Sequence, residues 1–207
     1  MNRNGGDPRM MSTNEGVRNP AAIDHALRAL AAGELVVMPT DTVYGLAADP
    51  RVPGARDRLY AAKQRDRGKP IPVLVRDLTD AERRGAVFSA RARGLARRFW
   101  PGPLTLVVPA GEGFEGYRMP RHPIAQALIA GCGGALYVTS ANVSGQPSAL
   151  TAREAISALG SAVRTVVEEG PPPDGRESSV VRVAGDTVEI LREGALSRSE
   201  IESCPTD

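Results

Sequence analysis

The chain has 207 residues, which is enough for one medium-sized domain with a substantial core. Charged residues make up 24% of the sequence, but 26 Lys and Arg against 24 Asp and Glu leave a net charge of only +2, and aromatic residues make up only 4%. A general nucleic-acid binder would show a stronger basic excess, and a protein that stacks single-stranded bases would carry more aromatic side chains. Both classes are therefore disfavoured.

Residues 1–20 are polar and rich in Gly, Asn and Pro, and they lack the apolar core of a signal peptide. They are predicted to form a disordered leader, with one domain over residues 21–203. No apolar run reaches the length of a membrane span. The two cysteines, Cys132 and Cys204, have no secretory context and are expected to be free thiols. A cytoplasmic protein without a membrane partner is expected.

The first half of the chain alternates helical and buried-strand patterns. Pro20 suits the first turn of a helix whose apolar stripe stops at Gly33. The apolar run Leu35–Pro39 predicts a buried strand, and a second helix is expected over Pro53–Lys63. Another buried strand is expected at Ile71–Val75.

The second half repeats this alternation. A helix is predicted from Ser89, a strand at Leu104–Pro109, a helix at Pro123–Gly131, a strand at Ala135–Ala141 and a helix after Thr151. Three more strand patterns follow, RTVVEE, SVVRVA and TVEILRE, and the last two are joined by a short turn that favours antiparallel pairing. The alternation predicts an α/β or α+β domain around one sheet.

Several common catalytic signatures are missing from the sequence. It contains no GxxxxGK[ST] phosphate loop, no GxGxxG dinucleotide fingerprint and no GxSxG nucleophile elbow. No His, Cys, Asp and Glu residues have metal-ligand spacing, so no protein-held metal site is predicted. An enzyme of this composition would act by holding substrates and stabilising charge rather than through a protein nucleophile.

The segment KQRDRGKP, residues 63–70, contains both lysines of the chain, Lys63 and Lys69. One interpretation is a solvated helix end, where cations suit the helix dipole. The other is a phosphate site, because a lysine presents a compact, strongly hydrated charge that arginine does not reproduce. The concentration of both lysines in one segment favours the phosphate site.

Two polar loops follow predicted strands, a usual location for binding sites in α/β proteins. The loop PTDTVYGL, residues 39–46, is composed of turn formers and is equally compatible with an ordinary turn. The loop VTSANVSGQPS, residues 138–148, offers small hydroxyls, an amide and glycine, and such a loop can cradle an anion with its backbone N–H groups.

The order of the motifs is more specific than any one of them. PTDTVYGL, K-x-R-x₃-KP, FWPGPLT, R-x-P-x-HP, TSANVSG, SSVV and LREG follow one another over residues 39–194. This series closely resembles the YrdC-type threonylcarbamoyl-AMP synthase family in its single-domain form, across essentially the whole predicted domain. The resemblance implies a twisted open mixed α/β sheet flanked by helices, as a single domain with a concave basic face.

The resemblance also implies a reaction. Family members combine L-threonine, bicarbonate and ATP into threonylcarbamoyl-AMP and pyrophosphate, with Mg²⁺ held mainly by the phosphates. Separate threonylcarbamoyl transfer machinery then modifies an adenosine of tRNA, and a weak direct contact with tRNA is compatible with this role. The resemblance thus implies that ATP is a substrate and that the chain is a nucleotidyltransferase acting in tRNA modification.

The implied residue roles fall on the motifs quoted above. Lys63 and Arg65 are the expected catalytic cations, and the ATP contacts expected are Arg65, Lys69, Asn142 and Arg192. The threonine contacts expected are Thr42, Arg118, Ser140 and Ser178, with Arg118 pairing the carboxylate, and the pocket is expected to be lined also by Thr40 and Tyr44.

Three positions depart from the family pattern. Leu74 stands where many members carry histidine, Ser179 stands for threonine in SSVV, and Glu193 stands for proline beside Arg192. Leu74 and Glu193 keep one alternative open, a related enzyme that forms a carbamoyl adenylate from another amine or from carbamoyl phosphate. The other alternative is a non-catalytic RNA-binding module that uses the basic concave face, and the low net charge and the few aromatic residues disfavour it.

Overall fold

The computed structural model describes residues 9–12, 20–168 and 174–205. Its strands, in chain order, are β1 (Arg9–Ser12), β2 (Val36–Met38), β3 (Gly45–Ala48), β4 (Val73–Val75), β5 (Leu104–Ala110), β6 (Gly113–Arg118), β7 (Ala135–Ser140), β8 (Thr165–Glu168), β9 (Ser179–Ala184) and β10 (Thr187–Arg192). Its α-helices are α1 (Pro20–Ala31), α2 (Ala55–Lys63), α3 (Leu78–Arg83), α4 (Ala90–Phe99), α5 (Pro123–Gly131), α6 (Ala152–Leu159) and α7 (Arg198–Glu202).

All ten strands form one mixed sheet in the order β1-β8-β2-β3-β7-β4-β6-β5-β9-β10. The pairs β1/β8, β2/β8, β4/β6 and β5/β9 are parallel, and the remaining neighbours are antiparallel. The predicted α/β class with a mixed sheet and flanking helices is confirmed, and so is the antiparallel pairing at the C-terminal end of the chain.

Helices cover both faces of the central strands. Val36 and Met38 of β2 pack in one buried cluster with residues of α1 and α5, whereas Val37 packs in a second cluster with residues of α2 and α6. Successive side chains of a strand point to opposite faces. A strand that is buried on both faces is therefore apolar at every position, which explains the uninterrupted run in β2.

One motif lies elsewhere in the sheet than its pattern alone allows. Taken alone, the pattern YRMPRHP at residues 117–123 also fits an extended edge strand with exposed arginines, but β6 ends at Arg118 and lies inside the sheet between β4 and β5. Arg118 is consequently buried, whereas Arg121 is exposed. β6 pairs with β4 on one side and with β5 on the other, so neighbouring strands flank Arg118, whereas an edge strand has one side open to solvent.

The structure describes four residues ahead of Pro20 within the predicted leader, residues 1–20. These four residues form β1, which pairs in parallel with β8, Arg9 opposite Thr165 and Ser12 opposite Glu168. The edge of β8 offers backbone N–H and C=O groups to this strand, and the extent of the leader and of the domain stays a prediction. The rest of the leader before Pro20 lies outside the described residues.

A buried carboxylate connects α3 to the turn that precedes β7. Asp80 accepts hydrogen bonds from Arg76, at 2.5 and 2.9 Å, and from Arg83 at 3.1 Å. A Cβ on Gly134 would lie 2.4 Å from the same carboxylate, so backbone and side chain are in close contact there. The hydrogen bonds from Arg76 are the main reason that the pKa of Asp80 is lowered.

Replacing Asp80 by Asn should lower the free energy of unfolding by about 1.5–3 kcal/mol at pH 7, because hydrogen bonds to a charged group are lost in a buried place. The stabilisation is complete above the unfolded-state pKa of about 4 and disappears as the pH falls through the lower pKa of the folded protein. Urea denaturation between pH 3 and 7 measures this. The control is Asp57→Asn, which changes an exposed carboxylate, and equal losses for the two variants would contradict the prediction.

Candidate active site

One pocket of about 500 Å³ opens among the ends of the central and C-terminal strands. All eleven side chains that the sequence predicted for the site line this pocket, although they come from segments more than 150 positions apart. They are Thr40, Thr42, Tyr44, Lys63, Arg65, Lys69, Arg118, Ser140, Asn142, Ser178 and Arg192. The fold therefore brings together residues that the sequence could only associate by motif.

Lys63, the last residue of α2, is turned inward and is 1% exposed. Its Nζ donates to the Ser140 carbonyl oxygen at 2.5 Å, to the Asn142 carbonyl oxygen at 2.6 Å and to the Asn142 Oδ1 at 2.7 Å. Its own carbonyl oxygen accepts from the Ser144 N–H at 2.9 Å. Lys63 therefore joins the end of α2 to the loop that follows β7, and all three strong donor contacts of its ammonium are made within the protein.

The environment of Lys63 changes its titration. Burial lowers its pKa to about 8, the charge of Arg65 acts in the same direction and Glu177 opposes it. At pH 7 the group is still mainly an ammonium, and only an ammonium has three N–H donors for the three oxygens.

The loop after β7 is also organised internally. The Ser140 hydroxyl donates to Asn142 Oδ1 at 2.6 Å, and Asn142 Nδ2 donates to the Gln146 carbonyl oxygen at 2.6 Å. Asn142 is 5% exposed. Its amide therefore fixes the shape of the loop that lines the pocket.

Arg65 and Lys69 lie at the pocket rim, on the turn between α2 and β4. Arg65 donates to the carbonyl oxygens of Lys69 and Pro70 at 3.1 and 3.2 Å, and the Lys69 N–H donates to the Asp66 carbonyl oxygen at 3.0 Å. Lys69 is exposed, so its charge is presented at the mouth of the pocket. The neighbouring Arg67 pairs instead with Asp57 on the helix.

The loop between β2 and β3 is held by its own hydroxyl groups. The Thr40 hydroxyl donates to the Val43 carbonyl oxygen at 2.7 Å and lies 3.0 Å from the Thr42 hydroxyl. Tyr44 is 1% exposed and packs in the core shared with α2 and α6. Its carbonyl oxygen accepts from the Ala141 N–H at 2.8 Å, which ties this loop to the loop after β7.

Arg118 at the end of β6 is buried and already has polar partners. Its Nε donates to the Gly102 carbonyl oxygen at 3.0 Å, its Nη1 to the Thr42 hydroxyl at 2.9 Å and its Nη2 to Asp41 Oδ1 at 2.5 Å. Burial lowers the pKa of Arg118, and Asp41 opposes this shift. Sequence reasoning missed Asp41, although it lies within the motif PTDTVYGL, because its partner is 77 positions away.

Ser178 and Arg192 form the wall on the β9–β10 side. The Ser178 hydroxyl lies 2.8 Å from the Thr105 hydroxyl, and its carbonyl oxygen accepts from Arg192 Nε and Nη2 at 3.1 and 2.8 Å. Arg192 Nη1 also pairs with Glu177, a pocket residue that sequence reasoning missed. A Cβ on Gly194 would lie 2.3 Å from the Glu177 carbonyl oxygen, so the last motif, LREG, needs glycine for close backbone approach.

Two of the positions that depart from the family pattern differ in whether they reach the pocket. Leu74 is buried and lines the pocket, whereas Glu193 is exposed and is not among the lining residues. The carboxylate that pairs with Arg192 is therefore Glu177 rather than Glu193, its neighbour in the sequence.

Two further residues that line the pocket contact each other: the Arg182 guanidinium lies 4.7 Å from the centre of the Phe114 ring.

Within the described parts of the chain, no group of three or more His, Cys, Asp or Glu residues is placed to hold a metal ion. The helices of those same parts include none that is long and apolar enough to cross a membrane.

Comparison with known proteins gives a consistent result. The Sua5/YciO/YrdC family model, whose description reads "Telomere recombination", matches residues 28–194. The threonylcarbamoyl-AMP synthase of Bacillus subtilis is 35% identical over 202 residues, 92% of this chain and 58% of that protein. A Mycobacterium tuberculosis relative is 40% identical over 188 residues, with 85% of each chain covered.

A solved structure, P. abyssi Sua5 complexed with L-threonine, superposes with a TM-score of 0.83 at 33% identity. The superposition covers 88% of this chain and 56% of that one. The chain thus spans a little over half the length of the Bacillus subtilis and P. abyssi proteins that it matches.

Replacing Lys63 by Met should loosen the loop at residues 140–146, because methionine fills similar space but donates no hydrogen bond. We expect faster amide hydrogen exchange across this loop and a free energy of unfolding lower by about 2 kcal/mol. Exchange mass spectrometry and urea denaturation measure the two effects. The matched control is Lys69→Met, which changes the other, exposed lysine; unchanged exchange in Lys63→Met would contradict the role of Lys63.

Proposed function

This chain belongs to the Sua5/YciO/YrdC family, and on that premise we propose that it synthesises threonylcarbamoyl-AMP and pyrophosphate from L-threonine, bicarbonate and ATP. The observation that carries the proposal is the single pocket that collects all eleven predicted residues. The similar P. abyssi protein that was crystallised with L-threonine supports the choice of amino acid. The product would serve the threonylcarbamoyl modification of tRNA in the cytoplasm, through separate transfer machinery.

The reaction needs alignment more than it needs a protein nucleophile. The amine of threonine takes up bicarbonate, with loss of water, or CO₂ to give a carbamate. A carbamate oxygen then attacks the α-phosphorus of ATP, and the bond to the bridging oxygen of the β-phosphate breaks, so pyrophosphate leaves. Holding the reactants in line removes much of the entropic barrier.

Negative charge grows on the leaving pyrophosphate during this step, and fixed cations nearby stabilise it. Arg65 and Lys69 at the rim and Arg192 on the β9–β10 side line the pocket and are placed to supply such charge. Lys63 has a different task in the proposal, because its ammonium is engaged by Ser140 and Asn142. It positions the loop that would hold the substrates, and it is a positioning residue rather than a phosphate contact.

The proposed threonine site lies around Arg118, Thr42, Ser140 and Ser178. Arg118 uses one N–H from each of its three nitrogens for internal partners, so a further N–H on each of its two terminal nitrogens remains to pair with the carboxylate of threonine. The hydroxyl groups of the three other residues are suited to the amine and hydroxyl of the substrate. Asp41 keeps the guanidinium oriented for this contact.

Glu177 is the single carboxylate among the described residues that line the pocket. Mg²⁺ prefers several oxygen ligands and gives up its bound water molecules reluctantly. The ion would therefore be held mainly by the phosphates of ATP and by water. The residues present are compatible with that arrangement, and no protein carboxylate cluster is required.

The product identifies the reaction directly. Incubation with ATP, bicarbonate and a panel of single amino acids should give the mass of threonylcarbamoyl-AMP with L-threonine and equimolar pyrophosphate. Since Leu74 lines the pocket where many family members have histidine, an adduct of another amine or of carbamoyl phosphate would favour the related carbamoyl-adenylate enzyme. Salt-dependent binding of tRNA without any ATP turnover would favour an RNA-binding module.

Replacing Arg65 by Ala should weaken ATP binding by about tenfold or more and reduce pyrophosphate release, because one phosphate-facing charge is removed from the rim. The folded structure should be retained, since Arg65 donates only to exposed turn carbonyls. Calorimetric ATP titration and a pyrophosphate assay measure these effects. Arg67→Ala is the control from the same segment. If Arg65→Ala bound ATP as tightly as wild type, the assignment of a phosphate site to Arg65 would be wrong.

A further inference from the structure

The pocket contains a carboxylate where the proposed substrate is a polyanion. Glu177 lines the pocket together with Lys63, Arg65, Lys69 and Arg192. Its charge reaches well into the site, because it acts to raise the pKa of the buried Lys63. A negative charge in this position opposes the binding of any phosphate chain, so its presence requires a reason.

The carboxylate of Glu177 is held by two specific partners. Its Oε2 pairs with Arg192 Nη1, and its Oε1 accepts from the Ser148 hydroxyl at 2.5 Å. The Glu177 side chain is 34% exposed and that of Arg192 is 45% exposed, so both face the open pocket and solvent. Glu177 therefore has room to turn away from Arg192 while its backbone stays in place.

The backbone of Glu177 is fixed independently of its side chain. Its carbonyl oxygen accepts from the Ala195 N–H at 2.9 Å and lies against Gly194, where no Cβ would fit. A rotation of the Glu177 side chain thus leaves the wall of the pocket intact.

Arg192 does not need Glu177 to keep its orientation. Its Nε and Nη2 both donate to the Ser178 carbonyl oxygen, which fixes the plane of the guanidinium group. The carboxylate occupies the remaining nitrogen, Nη1, at the side that faces the pocket. The geometry is that of a cation held by the backbone and neutralised by an exchangeable anion.

We propose that Glu177 is an internal counterion that occupies Arg192 in the empty pocket and that the phosphates of the nucleotide displace. This inference rests on the proposed function, since it assigns the displacing anion to ATP. The exchange replaces one anion by another on Arg192. It therefore weakens the net affinity for the phosphate chain, and it allows Glu177 to return as pyrophosphate and the adenylate leave.

The alternative role for Glu177 is a structural one, in which its bonds to Ser148 and Arg192 build the phosphate site. The two roles predict opposite changes in the affinity for phosphate when the charge of Glu177 is removed. If Glu177 competes with phosphate, removing its charge strengthens anion binding; if Glu177 builds the site, removing its charge weakens anion binding. Glutamine is the suitable replacement because it keeps the size of the side chain: its amide oxygen can still accept from Arg192, and its amide nitrogen can donate to the Ser148 hydroxyl.

The experiment compares wild type, Glu177→Gln and Glu193→Gln by calorimetric titration with inorganic triphosphate and with ATP. Glu193→Gln is the matched control. It removes the same charge from a residue that is next to Arg192 in the sequence but does not line the pocket. We expect Glu177→Gln to bind both probes about tenfold more tightly, which is the effect of one unit charge a few ångströms from a phosphate. Glu193→Gln should stay within about twofold of wild type because its charge is solvent-screened.

Unchanged or weaker binding of triphosphate by Glu177→Gln would overturn the inference, and so would equal tightening by both variants, which would reflect net charge alone. Urea denaturation of each variant checks that the fold is retained. Failure of the proposed function has a different signature: wild type would bind triphosphate but would show no preference for ATP and no threonine-dependent pyrophosphate release. In that case tighter triphosphate binding by Glu177→Gln would still support the counterion role.

Discussion

The architecture of the pocket depends on one buried cation. Lys63 is 1% exposed, and its ammonium bonds to Ser140 at the end of β7 and to Asn142 in the loop that follows. Taking an ammonium out of water is expensive, and here three oxygens at hydrogen-bond distance compensate for it. Because the donor and the acceptors belong to separate elements, α2 and β7, this interaction fixes the distance between the cationic rim and the polar loop. The rest of the site is built on that spacing.

Two arginines of the pocket are also held by partners within the protein. Arg118 is paired with Asp41, and Arg192 is paired with Glu177. Unpaired cations that converge on one pocket would repel one another, and internal carboxylates relieve this repulsion before a substrate arrives. Backbone carbonyl oxygens of Gly102 and Ser178 hold the guanidinium groups in place. The site is thus oriented in advance, which is the property that charge-stabilising catalysis requires. The two pairs differ in exposure, and only the exposed pair is suited to exchange its anion.

Sequence patterns predicted the longer elements well and the shorter ones poorly. α1, α2, α4 and α5 have clear apolar stripes or caps, and the buried runs of β2, β5 and β7 stand out. α3 spans only residues 78–83, too few for an apolar periodicity, although Asp77 caps it and Asp80 pairs with Arg76 and Arg83. β3 has the weak strand sequence GLAA and is held by pairing with β2 and β7 on either side. β1 likewise depends on the free edge of β8 rather than on its own residues.

By itself, the sequence determined the alternation of helices and strands, the absence of common nucleophile and phosphate-loop signatures, and the set of polar residues that belong together. The tertiary structure decided where each of those residues lies and what it contacts. Lys63 is the clearest case: as part of a basic segment it resembles a phosphate contact, but its ammonium meets residues 77 and 79 positions further on. Asp41 and Glu177 carry no sequence signal for their roles. Hydrogen bonds across such separations depend on where the sheet places the ends of its strands, and only the folded chain specifies that.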